Sequence, residues 1–175
     1  MDFERIIEVR QSTRKFSDKK PDGEIINKIL LAGRLAPTAK NVQPIRVAVA
    51  QSEKAIAAID KASPCRYGAP AVLIVLSDTD EACCLDNHST AEIDGAIVAT
   101  HLMLAATNYG VDSIWVERFD RDVLKSELNI PENLFPVCIM PIGYRADDCP
   151  VSRNFHNRKP LEETIEYLYK NLRLS

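Results

Sequence analysis

Helices and strands within one domain are what this sequence predicts, on three observations. Short β-branched runs of strand length recur at Val47-Ala48-Val49, Val72-Leu73-Ile74-Val75-Leu76 and Val137-Cys138-Ile139. Between them lie longer stretches with apolar residues at helical spacing, such as Ile25, Ile26, Ile29 and Leu30. One of these, over residues 93–106, is apolar on most sides, as befits a helix buried in a core or between subunits. A chain of 175 residues with 46% apolar and 27% charged residues reads as a single domain, 1–175, long enough to bury such a helix.

In chain order, Phe3, Ile6, Ile7 and Val9 predict a short amphipathic helix near residues 2–11. A second helix near 22–35 stops before Pro37, whose ring clashes with the preceding turn and which lacks an N–H. A strand near 45–51, a helix near 53–62 and a strand near 71–77 follow. The long apolar helix occupies about 90–109 and leads to a strand near 112–117. Asp120 is a suitable N-cap for a helix near 120–128, which places Val123, Leu124 and Leu128 on one face. A strand near 137–144 and a helix near 161–170 complete the chain, without repeats, low-complexity runs or an interdomain linker.

The composition excludes several classes. Net charge is −3, from 22 basic and 25 acidic residues, with no basic block and one Trp, which argues against a nucleic-acid surface. Met1-Asp2-Phe3-Glu4-Arg5 is not the start of a secretory signal. The longest clean apolar run, near 69–76, is far short of the roughly 20 residues a membrane helix needs. The five cysteines (65, 83, 84, 138 and 149) form no Cys-x-x-Cys pair, so free thiols in a cytoplasmic protein are expected, without zinc or disulfides. His101, among apolar neighbours, reads as a hydrogen-bonded structural residue, and His88 as part of a solvated loop.

Two polar segments stand apart. In Arg10-Gln11-Ser12-Thr13-Arg14-Lys15-Phe16 the arginines are four apart, a spacing that on a helix shares one face. Such a pair suits a phosphate dianion, with a hydroxyl or backbone N–H added from Ser12 or Thr13. A basic last turn answering the negative helix end explains the same residues. The second segment, Ala36-Pro37-Thr38-Ala39-Lys40-Asn41-Val42-Gln43-Pro44, is a small-residue loop whose backbone and amide side chains can read a flat heterocycle. As an ordinary connection, it carries residues that simply suit turns.

Together these segments resemble the FMN-dependent nitroreductase family, in Arg10-x-Ser12-x-Arg14-x-Phe16 and Ala36-Pro37-Thr38-Ala39-x-Asn41-x-Gln43-Pro44. Gly110-Val111-Asp112-Ser113-Ile114-Trp115-Val116 is similar to the family's strand after its central helix. The C-terminal third agrees in order, from Ile130-Pro131-Glu132 through Pro141-Ile142-Gly143-Tyr144 to Asn157-Arg158-Lys159-Pro160. The resemblance implies an α+β fold: a mostly antiparallel central sheet wrapped by helices, in an intertwined homodimer with FMN at the subunit interface. It assigns Arg10, Ser12, Arg14 and Arg158 to the phosphate end and pyrimidine edge of FMN. It assigns Pro37, Thr38, Ala39, Asn41 and Gln43 to a loop brought by the partner subunit, and Trp115 and Val116 to backbone near the flavin's reactive edge. His156 stands where some relatives carry a lysine.

The implied activity is hydride transfer from NADH or NADPH to a small-molecule acceptor by a ping-pong route, the acceptors being nitroaromatics, quinones and similar compounds. No catalytic side chain and no metal is implied, since the flavin N5 carries the hydride. The alternatives are a flavin-binding or storage module with little turnover, and a same-fold dehalogenase or flavin-processing enzyme. Two departures bear on substrate. Glu117 replaces a frequent glycine, bringing a carboxylate toward the flavin or substrate mouth with Arg118 beside it, and Ile45 replaces a frequent aromatic.

Overall fold

The computed structural model describes residues 1–151 and 155–167. Its helices start where side chains can accept the first orphan amides. Asp2 caps α1 (Phe3–Val9), Asp22 caps α2 (Gly23–Arg34) and Ser52 caps α3 (Glu53–Ala62). Asp120 caps α5 (Arg121–Leu128) by accepting from Val123 N–H at 3.0 Å, as its position in the sequence predicts. Between them runs α4 (Ala91–Asn108), 18 residues long.

The sheet has strand order β1-β2-β6-β5, antiparallel throughout, from β1 (Ile45–Ala50), β2 (Ala71–Asp78), β5 (Asp112–Ser113) and β6 (Leu134–Gly143). β2 is buried along its length and feeds a core on each face. Ala71, Leu73 and Val75 pack with Ile26, Ile29, Val98 and Leu102 of α2 and α4. The intervening Val72, Ile74 and Leu76 pack with Ile59, Leu124 and Val116 on the α3 and α5 side. The two-residue alternation of a strand therefore makes three layers from one continuous apolar run. The α+β, antiparallel expectation is borne out. Among the described residues no helix is long and apolar enough to cross a membrane.

Several boundaries differ from the sequence reading, each for a local reason. Helix α1 stops at Val9, and Arg10 caps it in an extended conformation (φ −58°, ψ 124°) because the next residues are captured by β5. The strand expected over 112–117 is regular only at Asp112–Ser113. Its register against β6 continues, with Ile114 N–H donating to Pro141 O and Val116 bridging Ile139, but Pro141 has no N–H to return. A small hairpin of β3 (Cys84–Leu85) and β4 (His88–Ser89) was not anticipated, and places His88 on an exposed strand. Asp86 and Asn87, both at positive φ, turn it.

The final helix expected near 161–170 is, over its described part, a single 3₁₀ turn at Leu161–Glu163, and 168–170 lie outside the described residues. Leu161, Ile165 and Tyr167 are all exposed, and an amphipathic segment that buries so little apolar surface gains too little to hold a helix.

Candidate functional site

Residues 10–17 cross the open end of the sheet as an extended strap. Ser12 forms a parallel bridge with Ser113, Thr13 N–H donates to Ser113 O at 3.1 Å, and Phe16 bridges Arg145. Arg10 and Arg14 are therefore not stacked on one helical face. Spacing four still keeps them on one side of the chain, since Arg10, Ser12 and Arg14 alternate with Gln11 and Thr13. Arg10 is half-buried against α4, its guanidinium 3.9 Å from the Met103 sulfur. Arg14 is exposed and lies beside the Tyr67 phenol. A hydrogen bond with Cys65, followed by partial burial, holds that phenol above its ordinary pKa, while Arg14 pulls the other way.

The structure brings Arg158 to Arg10. Burial first, then the positive charge of Arg158, lowers the Arg10 pKa from its ordinary value. Two guanidinium groups from opposite ends of the chain thus face one region, and Arg10 has no acidic partner in an ion pair among the described residues. Arg158 also lines a groove of about 600 Å³ with Val9, Gln11, Phe155 and His156. The Ser12 hydroxyl, on the same strap, makes no hydrogen bond among the described residues.

The Pro37–Pro44 segment forms a strained loop. Lys40, Asn41 and Gln43 all sit at positive φ (50°, 57° and 60°), the left-handed region that non-glycine residues adopt at a cost of about 1 kcal/mol or more each. Thr38 stabilises it by accepting Gln43 N–H at 3.0 Å, and Gln43 Nε2 donates to Asn41 O at 3.2 Å. Beneath the loop lies Asp94, 2% exposed on α4. Its Oδ1 accepts Ala39 N–H at 2.9 Å and its Oδ2 accepts the Thr90 hydroxyl at 2.9 Å. The sequence reading passed over Asp94, although an acid inside an otherwise apolar helix was a legible signal. Tyr67 was also missed. The loop borders a cleft of about 370 Å³ lined by Leu30, Ala36, Thr38, Gln43, Ile45 and Val98.

Trp115 is half-buried against the α2–α4 core, and its indole N–H donates to the Glu117 carboxylate at 2.9 Å. Glu117 is thereby turned back onto the tryptophan. Val116 is buried, with its backbone N–H and C=O both paired to Ile139. His101 is hydrogen-bonded within α4, Nδ1 lying 2.9 Å from Ile97 O.

Within the chain these groups do not converge on a single point. The loop is anchored at Asp94 and Arg10 rests on Met103, nine residues further along α4, or about 13 Å of helix. The face of α4 turned away from the sheet carries Ile93 (50% exposed), His101 and Leu104. Neighbouring Phe3, Ile7, Leu31 and Leu35 are also exposed, the last at 80%.

A family model described as the nitroreductase family matches residues 7–66 and 63–144. The crystal structure of a nitroreductase family protein from Clostridium difficile 630 is 34% identical, over 95% of this chain and 98% of that one, with a TM-score of 0.89. A nitroreductase family protein from Clostridium novyi NT is 28% identical over 84% of this chain and 87% of its own, with a TM-score of 0.79. A Methanothermobacter thermautotrophicus protein, named provisionally as an NADH dehydrogenase/NAD(P)H nitroreductase, is 29% identical over 163 residues, 85% of this chain and 80% of its own. The matched residues take in the strap, the loop and all four strands of the sheet, and the chain belongs to the nitroreductase family.

Proposed function

We propose that the protein is an FMN-dependent oxidoreductase, built as one domain over 1–175 and working in the cytoplasm as an intertwined homodimer. NAD(P)H-dependent oxidoreduction of the nitroreductase type is the activity its family membership and named relatives support. The observation that carries the cofactor reading is the pairing of Arg10 with Arg158. Two like charges, one of them half-buried and lacking an acidic partner among the described residues, suit an anion of two charges, such as the phosphate end of FMN.

In this reading Arg10, Arg158 and the Ser12 hydroxyl hold the phosphate end, and Arg14 reaches the pyrimidine edge. Pro37, Thr38, Ala39, Asn41 and Gln43 of the partner subunit present backbone and amide groups to the ring and ribityl chain. The distance along α4 between the loop and Arg10 supports a partner's contribution, as does the uncovered apolar face of that helix. Trp115 and Val116 form a rigid wall near the reactive edge, fixed by Glu117 and Ile139. Bound FMN supplies the redox chemistry, taking hydride from NADH or NADPH and delivering it to a nitroaromatic, quinone or similar acceptor in a ping-pong cycle. No side chain of the chain is assigned as nucleophile or general acid.

The test is flavin retention. Each hydrogen bond from a guanidinium, to the phosphate for Arg10 and to the pyrimidine edge for Arg14, is worth about 1.5–3 kcal/mol, so Arg10→Ala or Arg14→Ala is expected to weaken FMN binding about 10- to 150-fold. Full flavin occupancy in both variants after purification would contradict the assignment.

A further inference from the structure

The strap that presents Arg10, Ser12 and Arg14 is held from behind by an ion pair between Asp112 and Arg145. Asp112, on β5, accepts the Thr13 hydroxyl at 3.1 Å through Oδ1. The same carboxylate accepts Arg145 N–H at 2.9 Å through Oδ2 and the Arg145 guanidinium at 3.2 Å through Oδ1. With its amide oxygen turned to Arg145, Gln11 accepts from both terminal guanidinium nitrogens, at 2.8 Å from Nη1. The backbone closes around this pair, since Asp112 sits opposite Gly143 in the sheet and Ala146 N–H donates to Lys15 O at 3.1 Å.

Gln11 and Thr13 are the residues that alternate with Arg10, Ser12 and Arg14. In an extended segment, holding one alternate set from behind fixes the direction of the other. We infer that Arg145 and Asp112 are positioning residues that aim the phosphate-binding side chains of the strap, with Gln11 as the relay from Arg145 to Arg10. The inference rests on the FMN reading above and adds residues that reading does not use. Both members of the pair are half-buried, and their partners lie in the strap and at the sheet's end, apart from both apolar cores. Breaking the pair therefore releases the strap while the two cores stay packed.

The expected consequence is selective. Arg145→Met keeps most of the aliphatic stem but frees Gln11, and Gln11→Ala removes the relay from the other side at a partly exposed position. Each is expected to raise the Kd for FMN about tenfold, the equivalent of most of one charge-assisted hydrogen bond. The Kd for riboflavin, which lacks the phosphate but keeps the pyrimidine edge that Arg14 reaches, is expected to rise less than the Kd for FMN, so that the preference for FMN over riboflavin shrinks. The double variant is expected to bind FMN no more weakly than the weaker single, because both changes cut the same contact. Flavin fluorescence titration of the apoprotein measures all of these, with thermal melts confirming that each variant folds. If wild type shows the phosphate preference and both single variants keep it, the positioning role is wrong and the cofactor reading stands. If wild type binds neither flavin, the cofactor reading fails and the inference fails with it.

Discussion

Replacing Asp94 by alanine is expected to cost more than any other single polar change in the chain. The carboxylate is 2% exposed and accepts two hydrogen bonds, from Ala39 N–H and the Thr90 hydroxyl, each at 2.9 Å. Hydrogen bonds to a charged group contribute about 1.5–3 kcal/mol each, and removing the charge returns part of its burial cost. The net loss is about 2–4 kcal/mol, a fall of roughly 5–15 °C in Tm for a chain of this size. The loop above would also relax, because Lys40, Asn41 and Gln43 hold left-handed backbone that only the anchored geometry enforces. Asp94→Asn keeps an acceptor for Ala39 N–H, and the Thr90 hydroxyl can rotate to accept from the amide, so about 1 kcal/mol is expected. Thermal melts of both variants, with hydrogen exchange at residues 39–43, test this directly. A Tm for Asp94→Ala within a degree of wild type would refute the reasoning. So would an asparagine variant as damaged as the alanine one.

The remaining expectations concern assembly and thiol chemistry. Leu104→Glu or Ile93→Glu, on the outer face of α4, is expected to convert a dimer to monomer in sedimentation and to release flavin in the same step. A wild-type monomer that retains flavin would oppose the two-subunit site. Cys138 is buried in β6, and burial, with the Glu117 charge adding to it, pushes its thiol up to about 12 from an ordinary value of 9.0. At pH 8 only about one molecule in 10⁴ carries its thiolate, so alkylation followed by mass spectrometry should find it unmodified in the folded protein, and labelling at the rate of a small free thiol would argue against this core. Because the folded value is raised, the linked stability is complete below about pH 9 and is lost as pH rises from there toward 12.

Most of the layered fold was legible because its signals are local. The β-branched runs at 47–49, 72–76 and 137–139 became strands, and Asp120 capped the helix it was expected to cap. What was not legible depends on contacts distant in sequence. The spacing of Arg10 and Arg14 reads as helical until β5, about a hundred residues later, captures Ser12 and Thr13 and holds the strap extended. Pro141 interrupts regular pairing on a strand whose own sequence gives no reason to stop at Ser113. The helix expected near 161 depended on an apolar face that stays exposed over its described part. Of the candidate site, the paired arginines and the loop were recognisable as motifs. Of the supports beneath them, Asp94 under the loop left a trace as an acid within a mostly apolar helix, whereas Asp112 with Arg145 behind the strap left none, because that pair is a tertiary contact between otherwise unremarkable residues.

The measurement that tests the central claim most directly is the visible spectrum of the purified protein after FMN addition and desalting, followed by anaerobic titration with NADH and then NADPH. Flavin absorbance that survives desalting and bleaches with either nucleotide is the expected result. Absorbance that survives and does not bleach would contradict the oxidoreductase reading, and absence of bound flavin would contradict the site itself.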